Sequence, residues 1–372
     1  MFKRTLIAAS LTVAALASAQ AMAVTGGGAS LPAALYKGSA NSILPANFSY
    51  AVTGSGIGKS AFLTNTPGQF GTTGVVDFAG SDSVLSTAEI NTYNTTFGAA
   101  YGPLIQLPSV ATSVVIPYKK AGITNLDLTS AQLCDAFSGA KTTWGQLFGT
   151  ADATPIRVVY RNTSSGTTEI LSRHLNSICP TQFAVSTTFT SARLPASPTL
   201  PANFVGVALT SDVITEVNAV DGTIGYVGPD GANATSNAVV ARVNGVQPTT
   251  ANVNSALASL ALPSDPSNPV QWSPVVANPV AGYAMAAYTN LIFGQCYKDA
   301  GVAADVRAFL TKHYSTPGNN AATSAHNFIP VPPTWKTAVT ENFITNATGN
   351  NLDINNASIC NGKGREVRAA SL

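Results

Sequence analysis

The amino-acid sequence predicts an α/β protein built on largely parallel sheets. Short β-branched runs alternate along the chain with segments whose apolar residues recur at helical spacing, and no motif repeats at a fixed period. The roughly 350 residues that follow an N-terminal leader are enough for two domains, each with its own core.

The leader, residues 1–23, has the pattern of a secretory signal peptide. Lys3 and Arg4 precede an apolar run, and the small residues Ala21-Met22-Ala23 form a cleavage site. We expect the mature chain to begin near Val24. Because no cysteine lies near that position, a lipid anchor is not expected, and the protein is predicted to be periplasmic or secreted.

The charge balance argues against nucleic acid and anionic membranes as partners. The chain has 19 basic and 17 acidic residues, and the leader holds two of the basic ones, so the mature chain is close to neutral. No basic run with interleaved aromatic residues occurs. Charged residues make up 10% of the chain, against roughly 25% in an average globular protein. Ser, Thr, Asn and Gly supply the polar surface instead.

Four cysteines without C-x-x-C spacing, in an exported chain, predict two disulfides rather than a metal site. Cys134, Cys179, Cys296 and Cys360 permit three pairings. Each bridge would close a long loop and stabilise the fold by about 4 kcal/mol.

The first part of the mature chain contains two glycine-rich turns. Gly26 to Leu31 precedes a short predicted helix, which sets the hydroxyl of Ser30 close to the helix start. The second turn, Gly54 to Ser60, follows a predicted strand over 48–52. It resembles a Walker A loop, but Thr53 stands where that loop requires its first glycine and no Walker B aspartate is evident. A small anion seat is the better interpretation.

A strand predicted over 75–80 ends at Ser81-Asp82-Ser83. An aspartate in this position is commonly only a helix cap or a turn residue. Beside an anion, however, the carboxylate of Asp82 would repel the ligand unless a proton lies between them.

The segment from Pro155 to Ile178 predicts the strongest anion seat. A buried strand leads through Arg161 and a run of hydroxyl residues and glycine into an amphipathic helix. The first helical N–H groups lack partners there, and the helix dipole is positive. Gly166 permits close backbone approach, and the Ser165 and Thr167 hydroxyls can donate. Arg161 supplies a planar fork for tetrahedral oxyanions. The alternative is an ordinary helix cap with a surface arginine.

The remaining elements follow from the same periodicities. Helices are predicted over 126–137, 144–148 and 250–260 and around Val306, Phe309 and Leu310, and strands over 222–227 and 239–243. Residues 181–202 are predicted as a loop, and the proline-rich segment 263–279 as exposed. Two uncharged extended runs, 104–117 and 282–292, resemble crossings between domains.

At Arg161, Ser165, Gly166 and Thr167 the chain resembles the phosphate-binding proteins of bacterial phosphate ABC transporters, and the likeness extends along nearly the whole mature chain. Within that superfamily it most closely resembles the DING proteins. The motifs that carry the resemblance are Gly26 to Leu31, Gly54 to Gly58, Gly80 to Ser83, Pro108 to Val114, Leu133 to Trp144, Gly222 to Val227, Thr289 to Phe293 and Cys360 to Arg365. The signature Asp-Ile-Asn-Gly start is absent, and Ala23-Val24-Thr25-Gly26 stands in its place.

The resemblance implies a two-domain periplasmic-binding-protein fold of type II, with two crossover segments and the ligand in the interdomain cleft. Domain one would combine residues 24–108 and 288–372, domain two would span 117–280, and the crossover hinges would lie at 109–116 and 281–287. In this arrangement the pairings Cys134–Cys179 and Cys296–Cys360 are favoured, because each stays within one domain.

The resemblance also implies a set of anion contacts from both domains. They are Ser30, the backbone of Leu31, Ser55 and Asp82 from domain one, and Arg161, Ser165, Gly166 and Thr167 from domain two. Phosphate near neutral pH carries a proton that the carboxylate of Asp82 can accept, whereas sulfate carries none. Asp82 would therefore select phosphate, because sulfate would face an unpaired negative charge.

The predicted function is an exported high-affinity binding protein for inorganic phosphate that serves phosphate scavenging or uptake. We expect a monomer, with an ABC permease as a candidate partner. The alternative is a secreted phosphatase of the DING type with alkaline phosphatase-like activity on phosphate esters. A secreted adhesin, suggested by the Ser/Thr/Asn-rich surface, is a third alternative.

Catalysis by the phosphatase alternative would need a metal pair or an activated nucleophile. The sequence around Ser165 lacks the G-x-S-x-G elbow, and His174, His313 and His326 have no ligand spacing. Neither a metal nor a cofactor is expected, and a binding protein is favoured over an enzyme.

Overall fold

The computed structural model describes residues 24–196 and 199–366. The predicted signal peptide, 1–23, and the end of the chain, 367–372, lie outside the described residues. In chain order, the strands are β1 (Gly26–Gly28), β2 (Ala51–Val52), β3 (Phe78–Ser81), β4 (Leu104–Ser113), β5 (Ile116–Lys119), β6 (Asp127–Leu128), β7 (Arg157–Arg161), β8 (Phe204–Val207), β9 (Thr223–Ile224), β10 (Val240–Val243), β11 (Ala286–Gly294) and β12 (Ile329–Pro330).

Helices lie between most of these strands. In chain order, they are α1 (Ala33–Tyr36), α2 (Ser55–Thr64), α3 (Thr87–Thr96), α4 (Gly98–Tyr101), α5 (Ser130–Ser138), α6 (Trp144–Phe148), α7 (Gly166–Ile178), α8 (Phe189–Ala192), α9 (Thr210–Ala219), α10 (Thr250–Leu257), α11 (Ala300–Tyr314), α12 (Asn320–Ala325), α13 (Pro333–Val339) and α14 (Ala357–Cys360). Short 3-10 helices span Pro67–Phe70, Pro229–Gly231 and Pro269–Trp272, and a π-helix spans Thr340–Ile344.

The strands of the described residues form two six-stranded sheets. The first sheet has the order β12-β4-β11-β3-β1-β2, and the second has the order β6-β10-β5-β9-β7-β8. The first sheet draws its strands from both ends of the chain, whereas the second uses only the middle. The chain passes from the first sheet to the second between β4 and β5, and it returns between α10 and β11. The α/β fold with two crossings is therefore confirmed.

The expectation of largely parallel sheets is wrong, because both sheets are mixed. Strand β1 pairs parallel with β2 and β3, and β7 pairs parallel with β8 and β9. Strand β11, in contrast, runs antiparallel to β3 and β4, and β5 runs antiparallel to β9 and β10. The reason is topological: β4 leads out of the first sheet and β11 leads back, so these neighbours point in opposite directions.

A β-bulge interrupts the long β4–β11 ladder. Thr289 lies opposite Val110 and Asn290 lies opposite Pro108, so Ser109 is the extra residue. A proline cannot donate to a ladder, and a bulge is one of the few places where a sheet tolerates it. The bulge thus explains how Pro108 fits inside the extended run.

Two disulfides are present, and each joins two segments that lie beside the same sheet. Cys134, in α5, is bonded to Cys179 at the end of α7, and Cys296, just after β11, is bonded to Cys360 in α14. These are the two pairings that the implied domain arrangement favours. Among the described residues, no helix has the length and apolar character that crossing a membrane requires.

Two local expectations are wrong. The helix predicted over 126–137 begins only at Ser130, because Asp127 and Leu128 pair with β10 as a strand and Thr129 caps the helix in a capping box with Gln132. The proline-rich segment 263–279 is not exposed throughout. The side chain of Trp272 is 1% exposed and packs against Phe343, with the ring centroids 4.9 Å apart.

Candidate anion-binding site

Arg161 ends β7 and is held in one geometry by hydrogen bonds from every part of its guanidinium. Its side chain is 1% exposed. The Nε atom donates to the carbonyl of Ala208 at 2.7 Å, and Nη2 donates to Thr163 Oγ1 at 3.0 Å. The Nη1 atom donates to Ser30 Oγ at 2.7 Å and to Ser165 Oγ at 3.2 Å. Ser30 lies in the loop after β1 of the first sheet. Arg161, at the end of β7 in the second sheet, therefore connects segments that belong to both sheets.

The N-terminus of α7 lies next to this arginine. Ser165 is the N-cap residue in an extended conformation, and its side chain makes no capping hydrogen bond. The hydroxyl of Thr167 is buried and has no hydrogen-bond partner among the described residues. The N–H groups of Gly166 and Thr167 are in the first helical turn, where no intrahelical acceptor exists. This end of α7 therefore offers unpaired donors and the positive end of a helix dipole.

Asp82 follows β3 and faces the first residue of α2. Its backbone N–H donates to Ser55 Oγ at 3.1 Å, and that hydroxyl lies 3.4 Å from Asp82 Oδ2. The other carboxylate oxygen, Oδ1, is buried without a hydrogen-bond partner in the described structure. Burial raises the pKa of Asp82 to about 6, while the hydroxyl of Thr289 and the charge of Arg161 act to lower it. The site thus holds one buried carboxylate with an open acceptor position.

The segment around Asp82 and the start of α7 approach each other closely, because glycines leave room for the contact. A Cβ atom added to Gly166 would lie 2.5 Å from both Asp82 Cβ and Ser83 N, and one added to Gly56 would overlap Ser164. On the same side, Ser83 Oγ donates to Glu169 at 2.5 Å.

All eight residues predicted from the sequence are brought to this junction between the sheets. They are Ser30, Leu31, Ser55, Asp82, Arg161, Ser165, Gly166 and Thr167. Leu31 packs its side chain on Gly228 of the second sheet's surroundings, which places its backbone at the same junction. The roles of these residues in binding stay a prediction.

Three further side chains lie at the junction that the sequence pattern does not identify. Thr210, the first residue of α9, lies 2.9 Å from Ser30 Oγ and 3.3 Å from Arg161 Nη1. Tyr226 accepts a hydrogen bond from the backbone N–H of Arg161 at 3.0 Å. Thr289, on β11, carries a hydroxyl that lowers the pKa of Asp82. The polar run Thr210-Ser211-Asp212 before an apolar stretch is a helix-start pattern that could have located Thr210.

The histidines lie elsewhere and have structural partners. His174 is buried on α7, and its ring nitrogens lie 2.9 Å from Ser130 Oγ and 3.1 Å from the carbonyl of Ala277. Burial lowers its pKa. His313 is buried, and its Nε2 donates to the carbonyl of Ser109 at 2.8 Å. In the described part of the chain, no group of three or more His, Cys, Asp or Glu residues has the arrangement of a metal site.

Known proteins resemble this chain over nearly its whole length. Residues 13–312 match the family model of the PBP superfamily domain, PBP_like_2. Alkaline phosphatase L of Pseudomonas aeruginosa strain PAO1 is 66% identical over 368 residues, which cover 98% of this chain and 100% of that protein.

Solved structures share the fold. The phosphate-binding protein of Stenotrophomonas maltophilia superposes with a TM-score of 0.85 at 47% identity, over 93% of this chain and 100% of that one. The periplasmic phosphate-binding protein PfluDING, solved with bound phosphate, gives a TM-score of 0.86 at 41% identity, again over 93% and 100% of the two chains.

Proposed function

Because this chain belongs to the PBP superfamily, and within it to the DING-type phosphate-binding proteins, we propose that it is an exported high-affinity binding protein for inorganic phosphate. The observation that carries the proposal is the junction itself. A buried arginine fork and the unpaired N–H groups of α7 converge opposite a buried carboxylate that has a free acceptor position.

The donors suit a tetrahedral anion. Arg161 is held in place by its hydrogen bonds to Ala208 and Thr163. Its Nη1 atom can therefore point at the ligand without further loss of side-chain entropy. The α7 N–H groups and the Ser165 and Thr167 hydroxyls add neutral donors. On the opposite side, Ser30, the Leu31 backbone and Ser55 complete the set, so that the oxygens of one phosphate are shared between both halves.

Asp82 supplies the selectivity. Its free oxygen can accept a hydrogen bond only from a ligand that still carries a proton, which phosphate does near neutral pH and sulfate does not. A sulfate ion in the same place would meet an uncompensated negative charge, and rejection by repulsion is an effective source of specificity.

We further propose that the two sheets are the cores of two domains that close on the ligand. The boundaries are those expected from the sequence: 24–108 with 288–372, 117–280, and hinges at 109–116 and 281–287. Support comes from the sheet membership of the strands and from the bonds that Arg161 and Ser83 make across the junction. Closure of this kind is a common response of two-domain binding proteins.

The biological role follows from export and selectivity. We propose that the protein captures phosphate in the periplasm or outside the cell, as a monomer. Delivery to an ABC permease would make it an uptake component, and retention without a permease would make it a scavenger.

Calorimetry of the mature protein, stripped of phosphate, tests the proposal. We expect tight phosphate binding with one site per chain and sulfate binding weaker by orders of magnitude. Absence of phosphate binding by a folded sample would overturn it.

The second candidate is a phosphatase, because the 66% identical relative is named Alkaline phosphatase L. The nearest nucleophile candidates are the hydroxyls of Ser165 and Thr167. Ser165 accepts a hydrogen bond from Arg161 rather than facing a described histidine, which disfavours an activated serine. An ester-hydrolysis assay on the calorimetry sample distinguishes the two functions. Turnover that Ser165→Ala or Thr167→Ala abolishes would favour the enzyme, whereas turnover that survives both points to a contaminant.

A further inference from the structure

Two buried hydroxyl side chains, those of Thr289 and Tyr36, lie near the carboxylate of Asp82. Strand β11 pairs antiparallel with β3, with Asn290 opposite Ser81. Thr289 and Asp82 are the next residues beyond this last pair of the ladder, and the Thr289 hydroxyl is close enough to the carboxyl of Asp82 to act on its pKa. Thr289 is fully buried, and its Oγ1 lies 3.5 Å from the hydroxyl of Tyr36, which is also fully buried.

In the contact between Tyr36 and Thr289, either hydroxyl can donate the hydrogen bond, and one of the two directions leaves Thr289 able to donate to Asp82. Burial raises the pKa of Tyr36 well above its ordinary value, so its hydroxyl keeps its proton and can donate. If Tyr36 donates to Thr289 Oγ1, the single proton of Thr289 is free to point at the carboxylate. A carboxylate that accepts from Thr289 is held in its ionised form, because a donor favours the charged state.

We propose that Thr289 is a positioning residue that keeps Asp82 an obligatory proton acceptor and thereby sets the preference for phosphate over sulfate. The inference rests on the proposed phosphate-binding function and deepens it. Thr289 needs no contact with the ligand. It acts by orienting the carboxylate and by opposing the effect of burial on the charge of Asp82, whose pKa the Thr289 hydroxyl lowers.

Other charged and titratable groups around Asp82 also affect its pKa, and the effect of Thr289 adds to theirs. Arg161 lowers the pKa of Asp82, whereas the charge of Glu169 on α7 raises it. Tyr36 and Tyr50 also interact with the carboxylate. Burial and Glu169 both favour protonation, and a protonated Asp82 could donate to sulfate. Without the Thr289 hydroxyl, that protonated form would gain population at neutral pH.

The test compares Thr289→Val, which removes the hydroxyl at nearly constant shape, with Thr289→Ser, which keeps it. Phosphate and sulfate affinities are measured by calorimetry between pH 5 and pH 9. A rise of about one unit in the pKa of Asp82 would make the protonated form roughly tenfold more populated above that pKa. We therefore expect Thr289→Val to tighten sulfate binding about tenfold near pH 7.5, and Thr289→Ser to behave like the wild type.

A second variant keeps the inference testable if Thr289→Val does not fold. Tyr36→Phe retains the ring, which packs edge-on against Tyr50 with centroids 5.1 Å apart, and removes only the hydroxyl that orients Thr289. We expect a shift in the same direction and of smaller size. A phosphate-to-sulfate affinity ratio that stays unchanged at every pH in folded Thr289→Val would overturn the inference. Failure of the wild type to bind phosphate would instead overturn the proposed function.

Discussion

Asp82 is the residue on which ligand choice depends. Its free Oδ1 is buried, so the variant Asp82→Asn exchanges a pure acceptor for a group that can also donate, at the same size. We expect the fold to be retained, phosphate binding to weaken, and sulfate binding to strengthen, so that the preference for phosphate relaxes. Competition calorimetry at pH 8 measures the change, and unchanged selectivity would remove Asp82 from the site.

The raised pKa of Asp82 predicts that selectivity depends on pH. Burial brings this pKa to about 6, so the carboxyl gains its own proton as the pH falls through that value. The neutral carboxyl can donate to sulfate and no longer repels it. We expect sulfate affinity to rise as the pH is lowered from 8 to 5, and the phosphate-to-sulfate preference to fall with it. The variant Asp82→Asn serves as the control, since its sulfate affinity should be flat over this range.

Arg161 carries the positive charge of the site. Replacing Arg161 by alanine should weaken phosphate binding by about 2 to 4 kcal/mol, or roughly 30- to 1,000-fold, the range for losing a buried charge-assisted contact. Arg157 on the same strand provides a matched control, because its partner is Glu216, away from the junction. Calorimetry on both variants decides the matter, and equal losses would show that the effect is on the strand rather than on the ligand.

The sequence identifies this arginine because its setting is local. Arg161, Ser165 and Gly166 lie within one strand-turn-helix passage whose geometry follows from the order of residue types. Thr210 and Thr289 reach the same place from distant segments, and only the packing of α9 and β11 brings them there. No spacing rule in the sequence records such contacts.

At the scale of an element, the N-terminus of α7 owes its function to the lack of a side chain at Gly166. A Cβ there would collide with Asp82 and Ser83, so Gly166→Ala should hold the two halves apart and weaken phosphate binding roughly ten- to a hundredfold. Because the clash involves backbone as well as side-chain atoms, the melting temperature of the ligand-free protein should not rise, although alanine is the better helix former inside a helix.

Gly68 is a suitable comparison for this experiment. A Cβ added there meets nothing within 4 Å, so Gly68→Ala should leave the affinity unchanged. Calorimetry together with thermal unfolding separates the outcomes, and normal affinity in Gly166→Ala would show that the close approach of α7 to Asp82 is not needed for binding.

The sequence predicts a helix or strand well where residues close in the chain determine it. It predicts poorly where contacts with distant segments determine it. The sequence predicts α7 and α6 because the residues at their starts and their apolar spacing lie within each segment. The direction of strand pairing was missed, since it depends on how β4 and β11 connect the two sheets. The local pattern predicts a helix at residues 127–128, because their pairing partner in β10 lies more than a hundred residues away.

At the scale of the whole molecule, His326 connects a segment beside the first sheet to a segment beside the second; we call this contact with Asp230 the clasp. It follows α12, next to the first sheet, and its Nδ1 lies 2.9 Å from a carboxylate oxygen of Asp230, which lies in the 3-10 helix between β9 and β10. If phosphate draws the halves together, we expect this bond to form as they close. We expect His326→Ala to raise the dissociation rate of phosphate about three- to tenfold and to leave the association rate within about twofold.

Stopped-flow release measurements test this expectation. The pair of Lys120 with Asp152, 2.9 Å apart, joins two loops beside the second sheet alone, so Lys120→Ala should leave both rates unaltered. An unchanged dissociation rate in His326→Ala would mean that the clasp is equally present before the ligand arrives.

The assembly of the first sheet from both ends of the chain also limits the order in which the two sheets can form. Strands β5 to β10 form a contiguous block, so a chain that emerges from its N-terminal end, whether from the ribosome or from an export channel, presents every strand of the second sheet before β11. Strand β3, which bears the residue before Asp82, must meanwhile wait without its β11 neighbour. We therefore expect the second sheet to form first, and the sheet that leads to the selective carboxylate to be completed last, after β12 has emerged.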